Sequence, residues 1–267
     1  MLKQRVITAV LLLVVVLAAL FANTSLYWQI FINIMILLGF WEWLRFCEIS
    51  EISSQVLSFA AFIAVLVITQ LGFVSVAQAA IAGCVLWVFL FVFTATDLLN
   101  ALHHRMLKLL VGMALLSIGG LLVIELKNLE NGPLWILCFM VCVWAADIGA
   151  YFVGRRFGKT KLAPTVSPGK TVEGLLGGVA FALLLYVPIL MMYFSTTAAL
   201  LLLLTVIITV LISVVGDLFE SKMKRHVNLK DSSQILPGHG GVLDRIDSLL
   251  SGAPFFFSGL LALGYAA

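Results

Sequence analysis

Residues 198–216 read AALLLLLTVIITVLISVVG, and residues 217–224 continue as DLFESKMK. The first run carries no charged side chain, and as a helix it is about 28 Å long, close to the ~30 Å hydrocarbon core of a bilayer. The second run is rich in acids and lysines. Together they predict a transmembrane helix that ends at a charged membrane surface.

The chain as a whole is also strongly apolar. Of its 267 residues, 63% are hydrophobic and 11% are charged, whereas soluble domains carry about 25% charged residues. The net charge of +3 is too small to indicate a nucleic-acid partner. The four cysteines lie within or at the end of apolar runs, which indicates packing thiols. The composition therefore predicts a membrane protein.

Nine apolar runs are long enough to cross a bilayer. They are 6–22, 26–44, 56–73, 76–93, 106–124, 134–154, 175–194, 198–216 and 253–267. The last run is short, and Pro254 is predicted to lie in the first turn of its helix. We predict an all-α integral membrane protein of about nine transmembrane helices, with an N-terminal membrane part at 1–130 (about five spans) and a C-terminal catalytic membrane part at 131–267 (about four). The C-terminal part contains two basic segments outside the spans, at 155–174 and 217–252.

The distribution of Lys and Arg predicts the orientation, because these residues are retained on the cytoplasmic side. With nine spans and a cytoplasmic N-terminus, every Lys and Arg except Lys127 falls on that side. The C-terminus is then external, and both basic segments lie at the cytoplasmic surface. A cleaved signal peptide at 6–22 is the alternative for the first run, but no Ala-x-Ala site lies near its end.

The first basic segment and the span before it contain candidate ligands for an anion or a metal. Asp147 lies inside an apolar run, which indicates a substrate or metal site; the alternative is a helix-packing hydrogen bond or ion pair. Ser167, Lys170 and Thr171 directly precede the next predicted helix, whose free N–H groups favour anions. Glu173 is either a dipole-compensating acid or a partner for an ion or a lysine.

Gly-Lys-Thr occurs twice in this segment, at 158–160 and 169–171. A nucleotide-binding P-loop requires another glycine five residues before the glycine of this triplet. Val153 and Pro164 occupy those positions. The sequence therefore excludes a P-loop enzyme and leaves a phosphate-binding loop of another kind.

The second basic segment begins on the helix of the eighth span. Asp217, Glu220, Ser221 and Lys224 follow an i, i+3, i+4, i+7 spacing and share one helix face. A solvated, amphipathic helix end has a similar pattern. The functional interpretation is favoured because Asp217 stands at the membrane boundary, directly after the apolar run.

A glycine-rich turn follows at 236–241, LPGHGG, and leads into a second pair of acids. The glycines around His239 permit positive φ and close approach to a ligand, although His239 is alternatively only a turn residue. Asp244 and Asp247 are i, i+3 neighbours on a new helix. Carboxylates near basic groups are what Mg²⁺–nucleotide chemistry needs, because the carboxylates hold the cation and the cation bridges phosphates.

These residues resemble the signature of the phosphatidate cytidylyltransferases, also called CDP-diglyceride synthetases. That signature, S-x-x-K-R, four residues, K-D, then P-x-H-G-G-x-x-D-R-x-D, is filled at Ser221, Lys224, Arg225, Lys230, Asp231, Pro237, His239, Gly240, Gly241, Asp244, Arg245 and Asp247. The block from Asp147 to Gly174 is similar to a second conserved region of the family. Trp41-Glu42-Trp43 resembles a further family feature, and the remainder of the first five spans matches only in hydropathy.

The resemblance implies transfer of the cytidylyl group of CTP to phosphatidate, giving CDP-diacylglycerol and pyrophosphate for phospholipid biosynthesis. It implies an Mg²⁺-dependent, all-helical membrane enzyme that forms a homodimer, and it leaves open a monovalent cation such as K⁺ in a paired metal site. Size and the absence of targeting extensions indicate a bacterial inner membrane as the location, with the active site facing the cytoplasm.

The same resemblance, with the charge pattern, assigns roles to individual residues. The predicted catalytic residues are Asp217, Lys224, Arg225, His239, Asp244 and Arg245. The predicted substrate-binding residues are Ser167, Lys170, Thr171, Glu173, Ser221, Lys230, Asp231, Gly240 and Gly241. The predicted metal ligands are Asp217 and Asp244, followed by Asp247, Glu220 and Asp147.

Three other functions remain as alternatives. A CTP-dependent lipid-alcohol kinase would transfer the γ-phosphoryl group and release CDP. A transporter would use Asp147 and Asp217 to bind a coupling ion, but transporter sites lie near the midplane between repeats, and the sequence contains no internal repeat. A purely structural membrane protein gives no reason for the charged groups at 221–247.

Overall fold

The structure is a computed structural model that describes residues 2–96 and 104–265. Within those ranges it contains nine helices and one β-hairpin. The helices are α1 (Leu2–Leu20), α2 (Ser25–Phe46), α3 (Ile52–Gln70), α4 (Val76–Ala95), α5 (Arg105–Asn128), α6 (Gly132–Phe157), α7 (Val172–Tyr193), α8 (Thr196–His226) and α9 (Leu243–Ala262), and the strands are β1 (Lys161–Ala163) and β2 (Ser167–Thr171).

The helix lengths fit a bilayer. Seven helices, α2 to α8, are long and apolar enough to cross a membrane, and α1 contributes a shorter apolar stretch, Val6–Leu20. The prediction of an all-α integral membrane protein is therefore confirmed. The last two residues of the ninth predicted span, Ala266 and Ala267, lie outside the described residues.

The ninth helix differs from its prediction. α9 runs from Leu243 to Ala262, so the acids at its start and residues 253–262 of the predicted span belong to one continuous helix, which ends before the predicted span does. Pro254 lies inside this helix, and its predicted place in the first turn of the span is wrong. The helix instead begins just after the turn at 236–241. Pro254 packs closely against α4: a Cβ atom added to Gly83 of α4 would stand only 2.7 Å from the proline ring.

Small residues bring the helices of the C-terminal half close together, as is common where helices pack within membranes. α6 packs most extensively on α7, and α8 on α9. Where α6 meets α7, the backbones approach so closely that a Cβ atom added to Gly178 would stand 2.7 Å from the carbonyl oxygen of Ala146. This close approach holds Asp147, the next residue of α6, at a fixed place in the bundle.

The predicted loop between α6 and α7 is an antiparallel hairpin. Lys161 pairs with Thr171 and Ala163 with Ser167. The Thr171 side chain accepts a hydrogen bond from Gly174 N at 3.1 Å and caps α7. The predicted phosphate-binding stretch therefore does lead directly into a helix, and the hairpin carries Lys170 towards α8.

Candidate functional site

A polar cavity of about 410 Å³ lies where α6, α8 and α9 converge with the segment after α8. Its charged lining residues are Asp147, Asp217, Lys224, Asp231, Asp244, Arg245 and Asp247. These residues are up to 100 positions apart in the chain. The structure thus brings together most of the predicted catalytic residues and four of the five predicted metal ligands.

Asp217 joins the two basic segments. Its Oδ2 atom lies 2.6 Å from Lys170 Nζ, and the two side chains are 34% and 26% exposed. Ser221 Oγ donates to Asp217 Oδ1 at 3.2 Å. The hairpin is therefore connected to α8 by an ion pair whose two side chains are both partly exposed.

Asp244 is the centre of a second, more buried network. Its Oδ1 accepts from Lys224 Nζ at 2.5 Å, and Lys224 also pairs with Glu220 Oε2 at 2.7 Å. Its Oδ2 accepts from Gly241 N at 2.8 Å and from Ser232 N at 3.0 Å. Burial disfavours ionisation of Asp244, but the hydrogen bonds from Lys224 and Gly241 outweigh it and lower the pKa of this carboxyl. Asp244 therefore carries its negative charge at neutral pH.

The cavity has a local excess of carboxylate oxygens. The Asp147 and Asp247 carboxylates each repel the carboxylate of Asp217. Glu220 Oε1 is buried without a hydrogen-bond donor. Unpaired buried acceptors of this kind are what a hard cation satisfies, so the residues present fit a bound metal ion.

Within residues 2–96 and 104–265, however, no set of three or more His, Cys, Asp and Glu side chains is arranged to hold a metal ion. Asp217 and Asp244, the two principal predicted ligands, each hold a lysine ammonium. Both carboxylates are thus already bonded to cations in the structure.

The glycine-rich turn has the backbone that its sequence predicts. Gly238 and Gly240 have φ of 77° and 84°, and Leu236 N donates to Gly240 O at 2.9 Å. A Cβ on Gly240 would stand 2.7 Å from Asp244 Oδ2. Arg245 closes the turn by donating from Nη2 to the His239 carbonyl oxygen at 2.8 Å. The turn therefore packs directly against the carboxylate network.

Several predicted residues lie away from the cavity lining. Glu173 accepts hydrogen bonds from Lys159 N at 3.0 Å and Thr160 N at 3.1 Å, so it holds the start of the hairpin against α7. Arg225 is exposed and donates to Leu229 O at 3.1 Å. Ser167 takes part in the hairpin pairing.

Glu42 belongs to the site but is not among the predicted site residues, although it stands in the Trp41-Glu42-Trp43 stretch that resembles a family feature. It lies on α2 and is completely buried. Oε1 accepts from Ser233 Oγ at 2.5 Å and Val242 N at 2.9 Å, and Oε2 accepts from Ser232 Oγ at 2.8 Å and Leu243 N at 2.7 Å. An acid within the apolar run 26–44 was the available signal, because such an acid needs partners.

Arg45, one turn after Glu42, donates to the carbonyl oxygen of Ser232. Glu42 and Arg45 thus hold the same segment through its side chains and its backbone. The end of α2 is an anchor for the segment that carries the signature.

An apolar cavity of about 580 Å³ opens beside the polar one. It is lined by side chains of α1, α2, α5, α6 and α9, among them Leu12, Met35, Met140 and Ile246. Asp147 and Arg245 line both cavities. A charged compartment therefore adjoins a hydrocarbon-lined compartment of the same molecule.

Comparisons with known proteins agree with this arrangement. Residues 3–263 match the cytidylyltransferase family. The chain is 41% identical over 273 residues to a phosphatidate cytidylyltransferase of Pseudomonas aeruginosa, with 100% of both chains covered. It is 38% identical over 280 residues to that of Haemophilus influenzae (96% and 97% covered) and 44% identical over 141 residues to that of Bacillus subtilis (52% of each).

Proposed function

The chain belongs to the cytidylyltransferase family, and from this premise we propose that it transfers the cytidylyl group of CTP to phosphatidate. The products are CDP-diacylglycerol, a precursor of phospholipids, and pyrophosphate. The observation that carries the proposal is the shared wall at Asp147 and Arg245, where the polar cavity meets the apolar one. Such a junction suits a reaction between a water-soluble nucleotide and a lipid.

The reaction joins two anions, so its main requirement is positioning and charge neutralisation. An oxygen of the lipid phosphate forms a bond to the α-phosphorus of CTP, while the bond from that phosphorus to the β-phosphate oxygen breaks and its electron pair leaves with pyrophosphate. The lipid phosphate is already ionised, so no general base is needed. Arg245, which lines both cavities, is placed to neutralise it, while Lys170 and Lys224 lie on the side of the triphosphate.

We further propose that Mg²⁺ is required. Asp217 and Asp244 would be the principal ligands, with Asp247, Glu220 and Asp147 beside them. The support is the unpaired Glu220 Oε1 and the crowding of carboxylates; a bound cation would have to replace the lysine ammonium groups that Asp217 and Asp244 hold. When bound, the cation would bridge phosphate oxygens and offset their charge; a monovalent cation such as K⁺ is an additional candidate for the same group of acids.

We also propose that the N-terminus is cytoplasmic, the C-terminus external and the polar cavity open to the cytoplasm of a bacterial inner membrane. The distribution of Lys and Arg supports the orientation, and the bacterial relatives support the location. The family resemblance supports a homodimer. Cysteine accessibility from either side of sealed vesicles tests the orientation, and light scattering with detergent subtraction tests the dimer.

The proposed reaction is tested with purified protein, phosphatidate, Mg²⁺ and CTP labelled at the α-phosphate. We expect label to enter a chloroform-soluble lipid only when phosphatidate is present, with one pyrophosphate released per transfer. Chelation of Mg²⁺ should abolish it. Transfer of γ-label to a lipid alcohol, with release of CDP, would instead identify a kinase.

The apolar cavity gives a separate prediction for the lipid substrate. Met35→Trp places a bulky ring in the cavity, and we expect it to raise KM for long-chain phosphatidate roughly tenfold, because the ring occupies space that the acyl chains would fill; tenfold corresponds to about 1.4 kcal/mol. KM for CTP should not change. Ile34→Trp, at a 48% exposed neighbouring position outside the lining, is the matched control. Equal effects of both variants, or no effect of Met35→Trp, would contradict a lipid role for the cavity.

A further inference from the structure

A third cavity, of about 590 Å³, lies between the end of α2 and the segment 229–235. Trp41 and Arg45 form its α2 side, and Lys230, Asp231 and Gln234 are among the residues opposite. Asp231 also lines the polar cavity. The polar cavity therefore has the apolar cavity on one side and this aromatic, polar cavity on another.

We propose that this third cavity binds the cytidine moiety of CTP while the triphosphate occupies the polar cavity. The inference rests on the proposed function and adds a place for the nucleoside. A substrate with a flat base, a ribose and a triphosphate needs a compartment for the base next to one for the phosphates. The shared wall at Asp231 provides that adjacency.

The side chains fit a nucleoside in their chemistry. Trp41 is 40% exposed, although the next two residues of α2 are buried, and an indole face is a favourable platform for base stacking. The exposed amide of Gln234 offers both a donor and an acceptor to the base edge, which in cytosine carries an amino donor. The Asp231 carboxylate can accept from ribose hydroxyls, and Arg45 and Lys230 add positive charge.

Both walls of the cavity are held rigidly before any ligand binds. Arg45 is fixed by its bond to the Ser232 carbonyl oxygen. Ser233 Oγ donates to Glu42 and accepts from Ile235 N at 3.2 Å. Leu229 N donates to Lys224 O at 2.8 Å. A preformed pocket spends less of its binding free energy on ordering side chains, which favours specific recognition of a small nucleoside.

The test is the kinetics of Trp41→Ala, with Phe73→Ala as the control because Phe73 is an exposed aromatic residue on the loop after α3. Loss of one stacking platform should raise KM for CTP about tenfold. The values of kcat and of KM for phosphatidate should stay close to those of the wild type, and Phe73→Ala should change none of the three. Trp41→Phe, which keeps a smaller ring, should give an intermediate KM for CTP.

Gln234→Ala provides a second variant at an exposed position whose loss does not disturb packing. It should raise KM for CTP and lower the preference for CTP over UTP. Unchanged KM for CTP in both Trp41→Ala and Gln234→Ala, with an active wild type, would overturn the nucleoside site and leave the proposed reaction standing. The nucleoside site would also be overturned if Trp41→Ala raised KM for phosphatidate as much as KM for CTP, because that result is expected of a tryptophan at the membrane interface.

Equilibrium binding of CTP without lipid separates the two proposals. If the wild type binds CTP but transfers nothing to phosphatidate, and Trp41→Ala weakens that binding, the nucleoside site holds and the proposed reaction fails. If Trp41→Ala binds CTP as the wild type does, the nucleoside site is wrong whatever the reaction.

Discussion

Glu42→Ala is expected to destabilise the protein strongly and to remove its activity. The substitution deletes the acceptor for Val242 N and Leu243 N in the first turn of α9, and for the hydroxyls of Ser232 and Ser233. The hydroxyls can rotate to other acceptors, but the two buried N–H groups cannot. Unsatisfied buried donors cost about 1–3 kcal/mol each, so for these two groups we expect a loss of about 2–6 kcal/mol of folding free energy.

The loss of activity follows from the same contacts. Ser232 N donates to Asp244 Oδ2, and Asp244 holds Lys224, so release of the segment from α2 displaces the charged groups of the polar cavity. Thermal unfolding in detergent and the rate of cytidylyl transfer measure the two effects. Glu42→Gln, which keeps one acceptor oxygen, should be intermediate in both.

Glu51→Ala is the control, because Glu51 is an exposed acid just before α3. It removes only an acid at the start of α3 that accepts from Ser54 Oγ at 3.2 Å, so it should lower the unfolding temperature much less than Glu42→Ala and leave the rate unchanged. A Glu42→Ala variant with normal unfolding temperature and normal turnover would show that α2 does not anchor the segment.

Asp217→Asn is expected to lower turnover by about 10²–10³ while the protein stays folded. The Lys170–Asp217 ion pair is partly exposed on both sides, and such pairs contribute about 0–1 kcal/mol to stability. The carboxylate, however, is the proposed metal ligand and lines the polar cavity that we propose for the triphosphate. Removing one preorganised electrostatic group from an active site typically costs about 10²–10³ in kcat.

The comparison variant is Asp244→Asn, whose carboxylate accepts from Lys224, Ser232 and Gly241 within a buried network. This variant should lose activity and also unfold at a lower temperature, whereas Asp217→Asn should keep the wild-type unfolding temperature. The Mg²⁺ concentration for half-maximal rate should rise in any residual activity of Asp217→Asn. Wild-type kcat with an unchanged Mg²⁺ requirement would refute the metal role of Asp217.

The sequence predicted those features that depend on local pattern. Hydropathy predicted the helices because a transmembrane helix forms its backbone hydrogen bonds within its own segment, whatever helices lie beside it. The i, i+3, i+4, i+7 spacing placed Asp217 and Lys224 on one face of α8, and the glycines of 236–241 predicted a turn with positive φ. Both are local properties, and both are confirmed.

Features that depend on tertiary contacts could not be predicted from the sequence. Glu42 looked like a single acid in an apolar run, because its partners lie on a different helix and a distant segment. Pro254 looked like a helix start, because hydropathy registers only the apolar part of α9 and not the polar turns before it. The hairpin at 161–171 has strands too short for a clear alternating pattern.

The Glu42 anchor also sets the order of events during synthesis. Its four partners are separated from it by 190 to 201 residues, so α2 leaves the ribosome long before the groups that satisfy it. Until the start of α9 emerges, the carboxylate has none of these donors and the segment after α8 has no anchor. A chain that stops before α9 also lacks Asp244 and Asp247, so we expect it to be inactive and the active enzyme to form only when translation is nearly complete.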